Sequence, residues 1–516
     1  MKKLEVFYIK MIAFLMLFIM GGLTIASFLE DAYIQTDYAE TIYYRPDSMI
    51  INAGFLLLTL FVLIKIYRNG SLKKISIPVL MIGVVVFSIL VSCLWIFSAN
   101  YVPRDDSAAV LSNVDAMICG DFTSLMNIAG YLRKYQQQLG LCLFLEVIFK
   151  LFTGGQVRYQ LIQGMNVLMI AGIFCGMHLI TKELTKKKEI ISLELIFSFG
   201  WFPLMFYAVF VYGVIPGLFL AIVGIWCMLK LLHTHRNIYG IGMALLLSAA
   251  TILKSNFLII MIGAGIVLSA KALTEKRWRY FLFIFLMIFS MIGMKKTINE
   301  IYEMRCDTEL TEGMPTSAWI AMGMQEGPLA EGWYNGFNST TYKDSGYSTK
   351  VTDEVSKEYI KDRLEKFRAN PAECIRFYYK KIVSQWNEAT YESLWIAKNI
   401  RDNEHIEPEK IAVSVFEGKL HAVVEEIMNL YQLLIYFGTA LYAWELRKKR
   451  DTKDTILMLC ILGGFLFHIL WEGKSQYVFP YVTLMLPCAA SGYIYFADKW
   501  CQLDIWNKFY KVRENK

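Results

Sequence analysis

The chain has 516 residues, of which 56% are hydrophobic and 15% aromatic, while only 19% are charged. Soluble domains carry about 25% charged residues, so this composition, with a mean hydropathy of +0.41, excludes an ordinary soluble enzyme. The net charge of +7 does not indicate nucleic acid as a partner, because the lysines and arginines gather in short loops between apolar blocks, as they do in membrane topology.

In chain order the apolar blocks predict about twelve transmembrane helices. They lie near residues 7–28, 50–66, 77–98, 161–181, 190–210, 213–232, 238–253, 256–271, 281–297, 426–446, 455–471 and 477–497. About twenty apolar residues in a helix cross roughly 30 Å of hydrocarbon, and backbone in lipid must satisfy its own hydrogen bonds. The first run follows Lys2 and Lys3. It is too long for the apolar part of a signal peptide and no small-x-small site ends it cleanly, so it reads as a retained helix. The basic loops then share one side. They carry Arg68, Lys73 and Lys74; Lys182 and Lys186 to Lys188; His233 to Asn237; Lys271, Lys276, Arg277 and Arg279; Arg447 to Lys453; and the tail from Lys499. The positive-inside rule puts that side and both termini in the cytoplasm, making the chain a multi-pass protein of the cell membrane.

Leu139–Phe152 is too short to cross and carries Glu146 and Lys150. It is expected as an amphipathic helix lying on the outer membrane surface. The chain then divides into N-terminal helices (1–98), a first outer loop (99–160), a helical bundle (161–297), a large outer loop (298–425) and C-terminal helices with a basic inner tail (426–516). In the large loop a helix is predicted over Thr352–Asn370, stopped by Pro371. Ile375, Phe377, Tyr378, Ile382, Val383 and Trp386 follow as an apolar stripe at helical spacing, suited to the membrane interface. No internal repeat or low-complexity linker is visible. The ten cysteines form no CxxC pair. Only Cys119, Cys306 and Cys374 fall in outer loops, an odd number that cannot all pair with one another.

The first outer loop opens with Tyr101-Val102-Pro103-Arg104-Asp105-Asp106. A carboxylate delivered there by a helix end can act as general base on an acceptor hydroxyl; the alternative is a solvated pair marking the membrane edge. Lys254 lies between two apolar helices at the outer side, against the basic-inside trend. Such a charge marks a functional site or a lysine snorkelling to the interface. Lys295, Lys296 and Lys474 pose the same choice, and Glu472 either pairs with Lys474 or orients a substrate group. His178 and His468 lie within spans and read as buried packing; His233 and His235 are in an inner loop. No Ser-His-Asp grouping, P-loop or GxGxxG is present. Asn338-Ser339-Thr340 is a glycosylation sequon. Trp319 and Trp333 read first as packing and second as sugar platforms.

The stretch Pro103-Arg104-Asp105-Asp106, then Gly120-Asp121, then Gly130-Tyr131-Leu132-Arg133-Lys134-Tyr135-Gln136-Gln137-Gln138-Leu139-Gly140, resembles the first loop of bacterial GT-C glycosyltransferases, relatives of the protein O-mannosyltransferases. Gln136 stands where that family has proline, and Ser107 where it often has glutamine. Also similar are Leu253-Lys254-Ser255-Asn256, Ala318-Trp319-Ile320-Ala321-Met322-Gly323-Met324, Gly332-Trp333-Tyr334-Asn335-Gly336 and Trp471-Glu472-Gly473-Lys474-Ser475-Gln476-Tyr477. In the last, Gln476 stands where the family usually has arginine, which removes a guanidinium that Lys474 is placed to replace. The resemblance implies an all-α, GT-C-like membrane fold with amphipathic helices in two large outer loops. It implies inverting transfer from a polyprenyl-phosphate sugar to a hydroxyl of a glycan, glycolipid or protein on the outer face. Asp106, which aligns better than Asp105, would be the base. Lys254 and Lys474 suit the donor phosphate, held at the surface by its lipid, with Glu472, Arg133, Tyr131, Tyr135 and Trp319 around the substrates. No metal ligands are assigned, and a divalent cation stays open as a cofactor.

Two rival functions fit less well. A transporter needs a midplane site with intramembrane charges or broken helices in repeat-related positions, whereas these spans carry few ionisable residues. A polysaccharide polymerase or other envelope assembly protein would account for a large outer loop but not for the early Asp pair.

Overall fold

The computed structural model describes residues 2–34, 39–398 and 408–503. Every predicted apolar block is helical. Among the described residues, eight helices are long and apolar enough to cross a membrane, and two bent pairs bring the number to ten at most. The expected twelve is not reached by this measure. Asn237–Leu253 is short, and Lys419–Leu446 is diluted by polar residues such as Asn429 and Gln432, which it buries against protein. The bent pairs are Lys188–Gly200 with Phe202–Val209, at 52°, and Ser475–Thr483 with Met485–Gln502, at 51°. Pro203 opens the second half of the first. Pro480 and Pro487 flank the break in the second, where the missing N–H groups weaken the helical ladder.

Val214–Thr234 packs along both Asn237–Leu253 and Tyr159–Leu184, and Lys2–Leu29 packs along Lys419–Leu446, which in turn lies on Met485–Gln502. The charged loops sort to the two ends of this bundle. At one end the basic loops meet: Lys73 pairs with Glu189 at 3.2 Å, Lys230 with Glu183 at 2.7 Å and Lys271 with Asp451 at 2.7 Å. His233 bonds both Glu183 and Lys453. The loops that the sequence puts on one side thus form one physical end of the molecule, its basic end.

The opposite end holds an element the sequence did not suggest. Glu30–Ile34 (β1) and Ile42–Pro46 (β2) form a two-stranded antiparallel sheet with Ala32 opposite Tyr44. Strand-like alternation over so few residues, directly after a long apolar helix, leaves no readable period. The predicted loop helix is found at Thr349–Ala369, starting three residues earlier and capped by the Ser348 side chain. Pro371 ends that helix and also opens the next, Pro371–Trp386, which Asn370 caps, as a proline at the first helical position allows. Leu139–Thr153 packs one face on Asp105–Ile118, Asn237–Leu253 and Arg279–Cys306, leaving Val147, Leu151 and Phe152 exposed. Its Glu146 is buried, accepting from Tyr302 at 2.6 Å and pairing with Arg305 at 2.9 Å. Arg279–Cys306 continues as helix beyond its apolar stretch, so Lys295 and Lys296 lie within a helix and exposed, not at its end. All ten cysteines are free.

Candidate functional site

Asp105 and Asp106 form the first turn of the Asp105–Ile118 helix, where the helix dipole favours negative charge. The neighbours do different things. Asp105 takes a left-handed φ of 51° and pairs with Arg104 at 3.0 Å. Arg104 in turn lies 3.8 Å over the Trp395 ring and donates to the Trp395 carbonyl at 2.6 Å. Asp106 is exposed and accepts from the Tyr131 hydroxyl at 3.1 Å.

Lys254 faces Asp106 from the cap of Asn237–Leu253. It makes no ion pair within 4.0 Å among the described residues. Its ammonium lies over two rings, 4.6 Å from the centre of Tyr212 and 5.1 Å from that of Tyr477. Burial pulls its pKa down to about 8, and Asp106 is the strongest of the charges that oppose this. The close approach of Tyr212 depends on Gly213, where a Cβ would lie 2.1 Å from the Leu253 carbonyl oxygen. Gly140, at the end of the Gly130–Gly140 run, abuts the same turn, where a Cβ would lie 2.6 Å from the Ile252 carbonyl oxygen. Burial raises the Tyr131 and Tyr212 hydroxyl pKa values well above the usual range, so both stay neutral donors.

The loop after the last but one span supplies the third side. Glu472 is buried and accepts from Tyr477 at 3.4 Å. Burial raises its pKa to about 7, against the pull of Lys474. Lys474 sits 2.6 Å from Glu40 and 3.7 Å from Glu392, and those two carboxylates keep its pKa above the ordinary lysine value despite burial. Lys381, fully buried, pins this loop by donating to the Trp471 carbonyl at 2.7 Å and to the Gly323 carbonyl. Burial lowers its pKa to about 7. A backbone bond from Gly473 to Gly332 at 2.7 Å adds to the hold.

A row of rings joins these parts. Tyr131 and Tyr135 are 4.9 Å apart, Tyr135 meets Trp319 edge-on at 6.3 Å, and Trp319 stacks on Trp471 at 5.8 Å and 7°. Phe467 stacks on the far side of Trp471 at 5.1 Å. His468 lies against Tyr477, fully buried, with neither ring nitrogen bonded among the described residues.

The structure therefore brings Asp106, Lys254, Glu472, Lys474, Tyr131, Tyr135 and Trp319 to one end of the bundle. Arg133 is not in the cluster; its guanidinium donates to the Leu125 carbonyl at 3.4 Å. Trp333 is a packing residue, buried and donating to Ser384 at 2.8 Å. Asn338 of the sequon is buried and its amide oxygen accepts from the Ser339 amide. Sequence reasoning missed Glu40, Glu388, Glu392, Lys381 and Tyr212. Glu388 and Glu392 stand four residues apart in Asn387-Glu388-Ala389-Thr390-Tyr391-Glu392, a visible acidic pair. Nothing local announced that it lies beside Lys474.

No family model and no curated protein matches the chain. Among solved structures, the apo form of the Archaeoglobus fulgidus oligosaccharyltransferase is similar with a TM-score of 0.39 and 11% identity, over 80% of this chain and 50% of that one. The chain thus spans about half the length of that protein.

Proposed function

We propose that the chain is a membrane glycosyltransferase, GT-C-like, that takes its sugar from a polyprenyl-phosphate donor and passes it to an acceptor hydroxyl on the outer membrane face. One observation carries this reading. An exposed carboxylate, Asp106, held by the Tyr131 hydroxyl, acts electrostatically on Lys254, a lysine that lies over the Tyr212 and Tyr477 rings without an ion pair among the described residues. A donor anchored by its lipid brings a phosphate and a sugar to that level together. In the proposed step the Asp106 carboxylate takes the proton of the acceptor hydroxyl. The hydroxyl oxygen attacks the anomeric carbon opposite the phosphate, which inverts it. The bond from that carbon to the phosphate oxygen breaks, its electron pair stays on the phosphate, and the Lys254 ammonium meets the charge that develops there. Rings such as Trp319 and Trp471 give the sugar an apolar face to lie against.

The test is consumption of a labelled polyprenyl-phosphate sugar by the chain in nanodiscs. The parent consumes donor and Asp106→Asn does not. No consumption across a panel of sugars and lipid lengths, with acceptor glycans supplied, would overturn the reading. Orientation is checked separately in intact cells with Cys119, which is exposed, changed to Ser. Ser345→Cys should then label from outside and Lys449→Cys should not; the reverse pattern would put the cluster in the cytoplasm.

A further inference from the structure

Three of the stretches singled out in the sequence, 318–324, 332–336 and 471–477, meet at a buried side chain that none of them contains. Lys381 belongs to the Pro371–Trp386 helix and is fully buried. Its ammonium donates to the Trp471 carbonyl at 2.7 Å and to the carbonyl of Gly323, the residue that caps the Thr316–Met322 helix. No carboxylate pairs with it among the described residues. A buried charge without an ion pair is costly, so the two carbonyls must be held where the ammonium needs them. The approach is close. At Gly332 a Cβ would lie 2.7 Å from Cδ and Cε of Lys381, and φ there is 74°. At Gly323 a Cβ would lie 2.6 Å from the Leu470 carbonyl oxygen and 2.7 Å from that of Trp471. Neither position has room for another residue. The Gly473 amide then joins the second stretch to the third by donating to the Gly332 carbonyl at 2.7 Å.

Both carbonyls lie beside an indole. Trp471 carries one of the rings itself. Trp319 stands four residues before Gly323 and accepts from the Gly323 amide through its own carbonyl at 2.8 Å. One ammonium therefore joins the two backbones that carry a stacked pair, 5.8 Å between centres and 7° from parallel. Trp333 and Trp386 are fixed by full burial. Trp319 and Trp471 are half-buried, and a half-buried pair keeps its spacing only as well as its backbones keep theirs. We infer that Lys381 is a positioning residue whose ammonium sets the spacing of the Trp319–Trp471 pair, and through it the hold of the cleft on a sugar ring. The sugar's part rests on the proposed function; the spacing does not.

The test uses the full chain in detergent, with its tryptophans replaced by fluorotryptophan and read by fluorine magnetic resonance. The Trp319 and Trp471 signals are those lost in Trp319→Leu and Trp471→Leu. In the parent background Trp319→Leu should also move the Trp471 signal, because a stacked ring shifts its neighbour. Lys381→Met should bring that signal to the position it has in Trp319→Leu, and combining the two should move it no further. Lys381→Gln, whose amide is one bond shorter and reaches a single carbonyl, should move it part of the way. It guards against a methionine variant that does not fold. Ser384→Ala, which removes the hydroxyl that Trp333 bonds on the same helix, should leave both signals in place. The inference is overturned if either folded Lys381 variant shows the parent's signals. It is equally overturned if Ser384→Ala moves them as far, which would make the effect a general loosening. With a consumed donor in hand, Lys381→Met should also raise donor KM and keep kcat, as loss of a contact made alike in ground and transition states does. An unchanged KM beside moved signals would remove the sugar from the role of Lys381. A parent that consumes no donor would fail the proposed function, while the fluorine signals would still decide the spacing.

Discussion

The two ends of the bundle both carry charges and use them in opposite ways. At the basic end each of three carboxylates is met by cations: Glu189 by Lys73, Glu183 by Lys230 and His233, Asp451 by Lys271 and Lys453. At the other end, among the described residues, Asp106 receives one hydroxyl, Lys254 rests on two rings, and Glu472 is buried with a single phenol bond. An ion pair satisfied within the protein can join loops and record topology, but it has nothing left to offer a ligand. A desolvated charge without its partner is costly, and in membrane proteins such charges mark function. On the proposed function, substitutions at the two ends should fail differently: in turnover at one and in modest stability changes at the other.

The largest effect is expected at Asp106. Asp106→Asn keeps the shape and the bond from Tyr131 in altered form, and removes the ability to take a proton. Because the residue is exposed, membrane level and unfolding temperature should not change. Transfer should fall by about 10²–10⁴-fold, the usual contribution of a general base. Donor kinetics in nanodiscs check it. A loss under about tenfold would move the base elsewhere, first to Asp105, whose own asparagine variant serves as the comparison.

Lys254 should come next. Lys254→Met keeps the stem and deletes the charge, and donor kcat/KM should fall by one to two orders of magnitude, about the 1.5–3 kcal/mol of a hydrogen bond to a charged group. The pH dependence sharpens this. Burial lowers the Lys254 pKa from 10.5 to about 8, so the ammonium is intact below that pH and is lost as pH rises through it. The parent's donor kcat/KM should therefore decline above about pH 8. Lys254→Arg, charged at any accessible pH, should lose the decline while showing a lower maximum from its altered geometry. A parent profile flat to pH 10 would mean that Lys254 does not bind the donor as a cation.

The same contrast explains what could be read from the sequence. Periodicity and basic loops are local signals, and they gave the helices and the grouping of Lys73, Lys186 and Lys271 on one side. The Asp106 and Lys254 candidates were legible because each is a charge misplaced against its own neighbours: an acid at a helix end, a lysine between two apolar blocks. Glu392 and Glu40 gave no such sign. Each sits in a polar stretch where an acid is unremarkable, and only a pairing across some 80 residues for Glu392 and over 400 for Glu40 brings them to Lys474. Arg133 shows the converse. Its motif is local, but the direction of a side chain within a short Tyr131–Lys134 turn is fixed by a partner, Leu125, that spacing does not reveal. The count of spans differs between the two readings because helices such as Lys419–Leu446, which buries Asn429 and Gln432 within the bundle, are less apolar than the others.

The smallest effect should be at Glu183. Its carboxylate holds Lys230 at 2.7 Å and also meets His233. The partners are partly exposed, with side-chain exposures of 29% and 34%, so water screens the pairs and each is worth about 0–1 kcal/mol. Glu183→Gln should therefore lower the unfolding temperature only slightly at pH 7. The difference should shrink further in about 1 M salt, where screening acts over roughly 3 Å. Donor kcat, donor KM and the decline above pH 8 should all match the parent, because nothing at this end reaches Lys254. The comparison would break if Glu183→Gln changed the pH profile of transfer without changing stability. That result would couple the two ends and show that paired charges at the basic end also tune the chemistry.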